Sequence, residues 1–208
     1  SYIYHNLDKL KKNVISGLVV TCVGDEKSYS FLPSKNQNSI LDKIIKEELK
    51  RNKISYKSYS WLNRGSDERQ FNWPNTNLEV SSLMRSKYHE YKEYHTSLDD
   101  LKNIVTPKGF NGTYNIYKKI FLNLEKKIFP QSNHYCEPML SKLNLYPKIG
   151  YFSKVNKKKK FLKIILNILS YSDGKSSIEE IAYKCQITKN YCSNLINYLN
   201  KKKLISLF

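Results

Sequence analysis

With 208 residues, 40% of them hydrophobic and seventeen of them tyrosine, the chain can bury the core of one medium domain, or of a medium and a small one, and is not a disordered polymer. No run of about eighteen apolar residues is present to span a membrane, and no basic segment followed by an apolar stretch marks a secretory signal. The net charge of +18 invites a nucleic-acid partner, but only four of the 36 basic residues are arginine (Arg51, Arg64, Arg69 and Arg85); lysine mixed with Asn, Ile and Tyr is what an AT-rich coding sequence yields without selection for a partner. Cys22, Cys136, Cys185 and Cys192 form no C-x-x-C pair, so four free thiols of a reducing cytoplasm are expected, with Cys22 packed in a strand. The start at Ser1, running straight into apolar Tyr2-Ile3-Tyr4, reads as a fragment of a longer protein.

Residues 2–12 read as the end of a helix. Gly17 then opens the unbroken apolar run Leu18-Val19-Val20-Thr21-Cys22-Val23, the pattern of a strand buried on both faces, which stops at Gly24-Asp25. Ile40, Leu41, Ile44, Ile45 and Leu49 keep helical spacing behind a cap at Asn38-Ser39. A β-prone stretch from Ile54 to Leu62, a Gly-Ser-Asp loop and a short apolar stretch around Leu78–Met84 follow. Thr96-Ser97-Leu98-Asp99-Asp100 has the form of overlapping capping boxes and predicts a helix that starts after His95 and ends before Pro107. Tyr114, Tyr117, Ile120, Phe121 and Leu124 mark one more amphipathic helix, and the alternation as a whole is that of an α/β layer fold over residues 1–150.

Phe129–Gly150, with three prolines, reads as a connector, and a second domain is expected over residues 151–208. There, beyond the lysine run Lys157–Lys160, Phe161 to Leu169 predict a first helix and Asp173-Gly174 a turn. Ser176 and Ser177, each with Glu three residues on, cap a second helix, and Thr188 caps a third. With a strand at Leu204-Ile205 this is a winged helix-turn-helix. Lys189, Asn190, Tyr191, Asn194 and Lys201–Lys203 could meet phosphates and base edges, and equally describe an ordinary solvated helix of a lysine-rich protein.

Three features carry chemistry: Asp25 beyond a strand end, Gly65-Ser66-Asp67-Glu68-Arg69, and Tyr94-His95-Thr96. In open α/β sheets ligands bind beyond the carboxyl ends of strands, and zinc takes carboxylate and imidazole ligands from loops far apart in sequence. The plainer readings stand beside this one. Asp25 is also a turn former, His95 a structural residue beside Tyr94, Asp67-Glu68-Arg69 an exposed ion pair, and His5, His89 and His134 surface residues.

Cys22-Val-Gly-Asp25, Gly65-Ser-Asp-Glu-Arg-Gln70, Leu83-Met-Arg-Ser-Lys-Tyr88, Glu93-Tyr-His-Thr-Ser-Leu-Asp99, Cys136-Glu-Pro138 and Leu145-Tyr-Pro147 occur in this order. The series resembles the C-terminal half of the zinc aminopeptidases, and more closely the bacterial aminopeptidase-like domain proteins that bear polysaccharide-biosynthesis labels. The resemblance covers essentially the whole chain. It implies the C-terminal part of a zinc-aminopeptidase-like (phosphorylase/hydrolase-like) three-layer sheet domain followed by a winged helix, acting on a small-molecule or peptide-like substrate. It makes Asp25 and His95 ligands of one or two zinc ions, sets Asp67 in the site wall, behind the ligands or in contact with the substrate, and gives Arg69 and Arg85 to a substrate carboxylate or phosphate. The family's remaining ligands and its catalytic base are expected upstream of residue 1, so the fragment itself would hydrolyse nothing. The competing reading is a winged-helix DNA-binding or regulatory protein whose α/β domain senses a small ligand; a homo-oligomer is compatible with either.

Overall fold

The computed structural model describes residues 2–143 and 152–208, with side-chain surroundings given outside 142–159. The chain divides into two compact units, residues 1–126 and 127–208. The first opens with two short helices, α1 (Tyr2–His5) and α2 (Leu7–Asn13), matching the helical reading of residues 2–12. Its sheet has four strands: β1 (Gly17–Val19), β2 (Tyr29–Leu32), β3 (Tyr56–Ser58) and β4 (Val80–Met84), in the spatial order β1-β4-β2-β3. β1 runs parallel to β4 with Gly17 beside Val80, β2 antiparallel to β4 with Ser30 beside Met84, and β3 parallel to β2. The unit is therefore mixed α/β.

β4 is central and buried at all five residues. Successive strand residues face opposite sides of a sheet, and Ser81 and Ser82 use that alternation to donate to two different buried carboxylates. Ser81 Oγ reaches Asp42 Oδ1 at 2.6 Å, and Ser82 Oγ reaches Glu68 Oε2 at 3.2 Å. Asp42 lies in α3 (Ile40–Arg51), which begins where the sequence indicated: Ser39 Oγ accepts from Asp42 N while Asp42 accepts from Ser39 N, a reciprocal capping box. Ile40, Leu41, Ile44, Ile45 and Leu49 form its buried stripe. Glu68 lies in the single-turn α4 (Glu68–Phe71).

Two expectations fail in this unit. The apolar run after Gly17 is not a strand through Val23. Pairing with β4 stops at Val19, Val20 is 62% exposed, and Cys22 adopts a left-handed backbone with φ +49°. β1 forms an edge of the sheet, so its backbone is paired with a neighbour on one side only. Nor does a helix follow His95. Residues 89–104 form successive turns, because their polar side chains bind nearby backbone in place of an i→i−4 ladder. Thr96 Oγ1 donates to Glu93 O and accepts from Leu98 N, while Asp100 Oδ1 accepts from the amides of Lys102 and Asn103. The helix begins later, as α5 (Pro107–Glu125), with Thr106 accepting from Gly109 N and Pro107 in the first turn, where no amide donor is needed. Gly109 permits the packing: a Cβ there would lie 2.0 Å from Gly24 O, so only glycine lets α5 rest against the Gly24–Asp25 backbone.

The second unit holds α6 (Phe152–Tyr171), α7 (Ile178–Lys184) and α8 (Lys189–Lys201), capped at Ser177 and Thr188 as their sequences indicated. It starts at 127 and not at 151, because Pro130–Ser132, expected inside a connector, is a strand, β5. It pairs antiparallel with β6 (Ile205–Leu207), Pro130 beside Leu207, and so ties the front of the unit to its end. The remainder of the expected connector, with Leu145-Tyr-Pro147, lies outside the described residues for 144–151. One apolar cluster, including Leu162, Ile165, Ile181, Ile196 and Leu204, forms the core. Among the described residues no helix is long and apolar enough to cross a membrane.

Candidate functional site

A cavity of about 510 Å³ opens beyond the end of β1. Its lining is mixed: apolar Val20, Val23, Ile104, Val105 and Phe110 share it with Cys22, Asp25, Ser66, Tyr91, Tyr94, His95 and Asp99. Asp25 and His95, seventy residues apart in the chain, thus face one space. In a chain of net charge +18, no lysine or arginine among the described residues lines the cavity, while two aspartates do.

Asp25 is buried, and its carboxylate already ties two loops together. Oδ1 accepts from Lys27 N at 2.8 Å and Ser86 Oγ at 3.1 Å, and Oδ2 accepts from Ser86 N at 2.9 Å. The turn-former reading of this residue and its place on the cavity wall are both realised. His95 is exposed, left-handed at φ +57°, and stacked on Tyr94 with ring centroids 4.1 Å apart. His89 is exposed as expected, yet its ring stands edge-on to Tyr94 at 4.8 Å. The Tyr91 hydroxyl donates to Asp99 Oδ2 at 2.9 Å and lies 3.6 Å from Cys22 Sγ. Burial first, then hydrogen bonding to Cys22 and Asp99, pushes the Tyr91 phenol well above its usual range, so it stays protonated and fixed.

The three other predicted site residues stay outside this space. Asp67 and Arg69 are exposed and do not line the cavity. Arg85 is held from several sides: its guanidinium sits 3.9 Å from the centre of the Tyr29 ring, Nε donates to Thr113 Oγ1 at 3.1 Å, and Nη1 donates to Lys27 O at 3.2 Å. It fastens α5 to the loop after Asp25 and offers no free fork to a substrate anion.

The charged residue that sequence reasoning missed lies between two of these. Glu68, read as part of an exposed ion pair, is fully buried. Its Oε1 accepts from Gly65 N at 2.8 Å, Ser66 N at 3.0 Å and Tyr88 Oη at 2.9 Å, fixing the loop that presents Ser66 to the cavity. Burial acts to raise its pKa, but the two amides and the hydroxyl outweigh that and hold the carboxyl below its ordinary value. The available signal was a carboxylate three residues after a glycine, positioned to accept that loop's amides.

The site does not fit a complete zinc centre within these residues. A zinc site needs at least three protein ligands, and among the described residues no group of three His, Cys, Asp or Glu side chains is placed to hold a metal ion. Asp25 spends three hydrogen-bonding positions on Lys27 and Ser86.

Comparison with known proteins agrees with the ordered motifs. A Clostridium acetobutylicum protein, provisionally named a polysaccharide biosynthesis protein with an aminopeptidase-like domain, is 37% identical over 185 residues, 88% of this chain and 41% of the relative. A crystal structure from Clostridium acetobutylicum, provisionally named a peptidase, matches with a TM-score of 0.59 and 31% identity, over 100% of this chain and 45% of that one. The chain thus spans less than half the length of either. Residues 128–207 match a winged helix-turn-helix profile. Residues 1–127, well over half of the chain, match the profile of a domain of unknown function, DUF4910, and the chain belongs to that family.

Proposed function

We propose that the α/β unit supplies one wall of a metal-dependent, aminopeptidase-like or amidohydrolase-like site, completed in a longer protein with the three-layer architecture of the zinc aminopeptidases. The observation that carries this reading is the meeting of Asp25 and His95 on one cavity. Two such ligands hold zinc weakly by themselves. The third ligand and the base that activates water are to be sought in the length that the relatives have beyond this chain.

The cavity wall also narrows the substrate. Asp25 and Asp99 face it and, among the described residues, no lysine or arginine does, so its local field favours a protonated amine or a cation over a phosphate or carboxylate. A peptide-like substrate with a free amine and an apolar side chain suits this mixed lining. Asp67, Arg69 and Arg85 have no part in holding it.

Zinc titration tests the assignment. The 208-residue chain should show no tight one-to-one zinc site, and the longer parent protein should lose bound zinc on His95→Ala. Tight stoichiometric binding by the chain alone, or unchanged zinc content in the His95→Ala parent, would overturn the reading.

A further inference from the structure

The hydrolytic reading uses nothing of the winged-helix unit, whose surface has chemistry of its own. Residues 127–208 contain fifteen lysines, no arginine and four carboxylates, so they carry +11 of the chain's +18. Three of those carboxylates are engaged locally. Asp173 accepts from the amides of Lys175 and Ser176, Glu180 accepts from Ser177 N, and Glu179 pairs with Lys189 at 2.6 Å. Fifteen lysines against four carboxylates leave the unit's field strongly positive.

The second observation is geometric. α8 turns Cys192, Leu195, Ile196 and Leu199 into the core. Asn190, Asn194, Asn197 and Lys201, spaced by four, three and four residues, form the opposite stripe, and all four are exposed. Asparagine is a poor helix former, and the fold gains nothing from these three: among the described residues their side chains have no partner within the chain. α7, a four-residue turn and α8 have the arrangement in which a second helix lies in the major groove of a duplex.

We infer that residues 127–208 bind double-stranded DNA, with α8 in the major groove. Lysines 201–203 meet phosphates, and Asn190, Asn194 and Asn197 read adenine-containing steps. Lysine suffices for phosphate, and an asparagine amide matches the adenine N6/N7 edge with two hydrogen bonds. An A-form RNA duplex closes its major groove to such a helix. An anionic bilayer would call for apolar anchors along the stripe, where amides stand instead. The inference is independent of the peptidase-like reading.

Fluorescence anisotropy with the 208-residue chain tests it, using one A·T-containing and one G·C duplex of equal length. Binding should weaken steeply with salt and favour the A·T-containing duplex. Asn190→Ala with Asn194→Ala should reduce that preference about tenfold while leaving the circular dichroism unchanged, since both positions are exposed and alanine suits a helix. Lys201→Gln, Lys202→Gln and Lys203→Gln together should weaken both duplexes alike and flatten the log–log salt slope by about 2 to 3. The inference fails if neither duplex binds at about 50 mM salt, if the asparagine variant discriminates like the unaltered chain, or if phosphatidylserine vesicles are bound in preference to DNA.

Discussion

In the winged-helix unit one apolar cluster runs from Leu140 to Ile205, and no charged side chain among the described residues is buried. In the α/β unit Asp25, Asp42, Glu48, Glu68 and Lys87 are all less than a tenth exposed. Burying a carboxylate is costly unless its oxygens are satisfied. Asp42 is satisfied by Ser34 N, Ser34 Oγ, Ser39 N and Ser81 Oγ, so one side chain joins a loop, a helix start and the central strand. Glu68 and Asp25 do the same for the loops around the cavity. The winged helix confines its polar bonds largely to local caps and turns. One unit is assembled by packing; the other is packed and also tethered at the segments that shape its site.

The sharpest break in that contrast is Asp42→Ala. It leaves several buried donors without an acceptor and should cost about 4 kcal/mol. Residue-resolved hydrogen exchange should show protection falling across residues 17–125 while α6–α8 keep theirs; equal loss in both units would dissolve the contrast. Acid comes next. A carboxyl held below its unfolded value contributes stability that is complete above that value and is lost as pH falls through the folded one. With Glu68 depressed from 4.5, urea unfolding of the α/β unit should become easier below about pH 4.5, and Glu68→Gln should remove that part of the dependence. The smallest effect belongs to a cap in the packed unit. Ser177 Oγ accepts from Glu180 N, and Ser177→Ala should lower the stability of residues 127–208 by about 1 kcal/mol in urea melts, with no pH signature like that of Glu68.

The same contrast governs what could be read from residues alone. Ser39, Ser177 and Thr188 act within three residues of themselves, so their caps were legible, as was the apolar stripe of α3. Asp25 with Ser86, Asp42 with Ser81 and Arg85 with Thr113 join positions 61, 39 and 28 residues apart, and no local pattern announces such pairs. Thr96-Ser97-Leu98-Asp99-Asp100 misled because the side chains that start helices also close turns. β5 has no alternation of its own, and its partner imposes the strand. Of the candidate site, the ordered motifs supplied Asp25 and His95; they could not show that Arg85 was already in use or that Glu68 pointed inward.

β1 has further consequences for handling the chain. Three residues of ladder on one side, an open edge on the other and Val20 turned outward give the α/β unit a place where two molecules can zip together. What opposes this is mutual repulsion between molecules of charge +18. That repulsion reaches about 30 Å at 0.01 M salt and about 8 Å at 0.15 M. Ionic strength therefore sets a dispersal limit for the isolated polypeptide: dilute buffer keeps the molecules apart, and added salt lets exposed edges find one another.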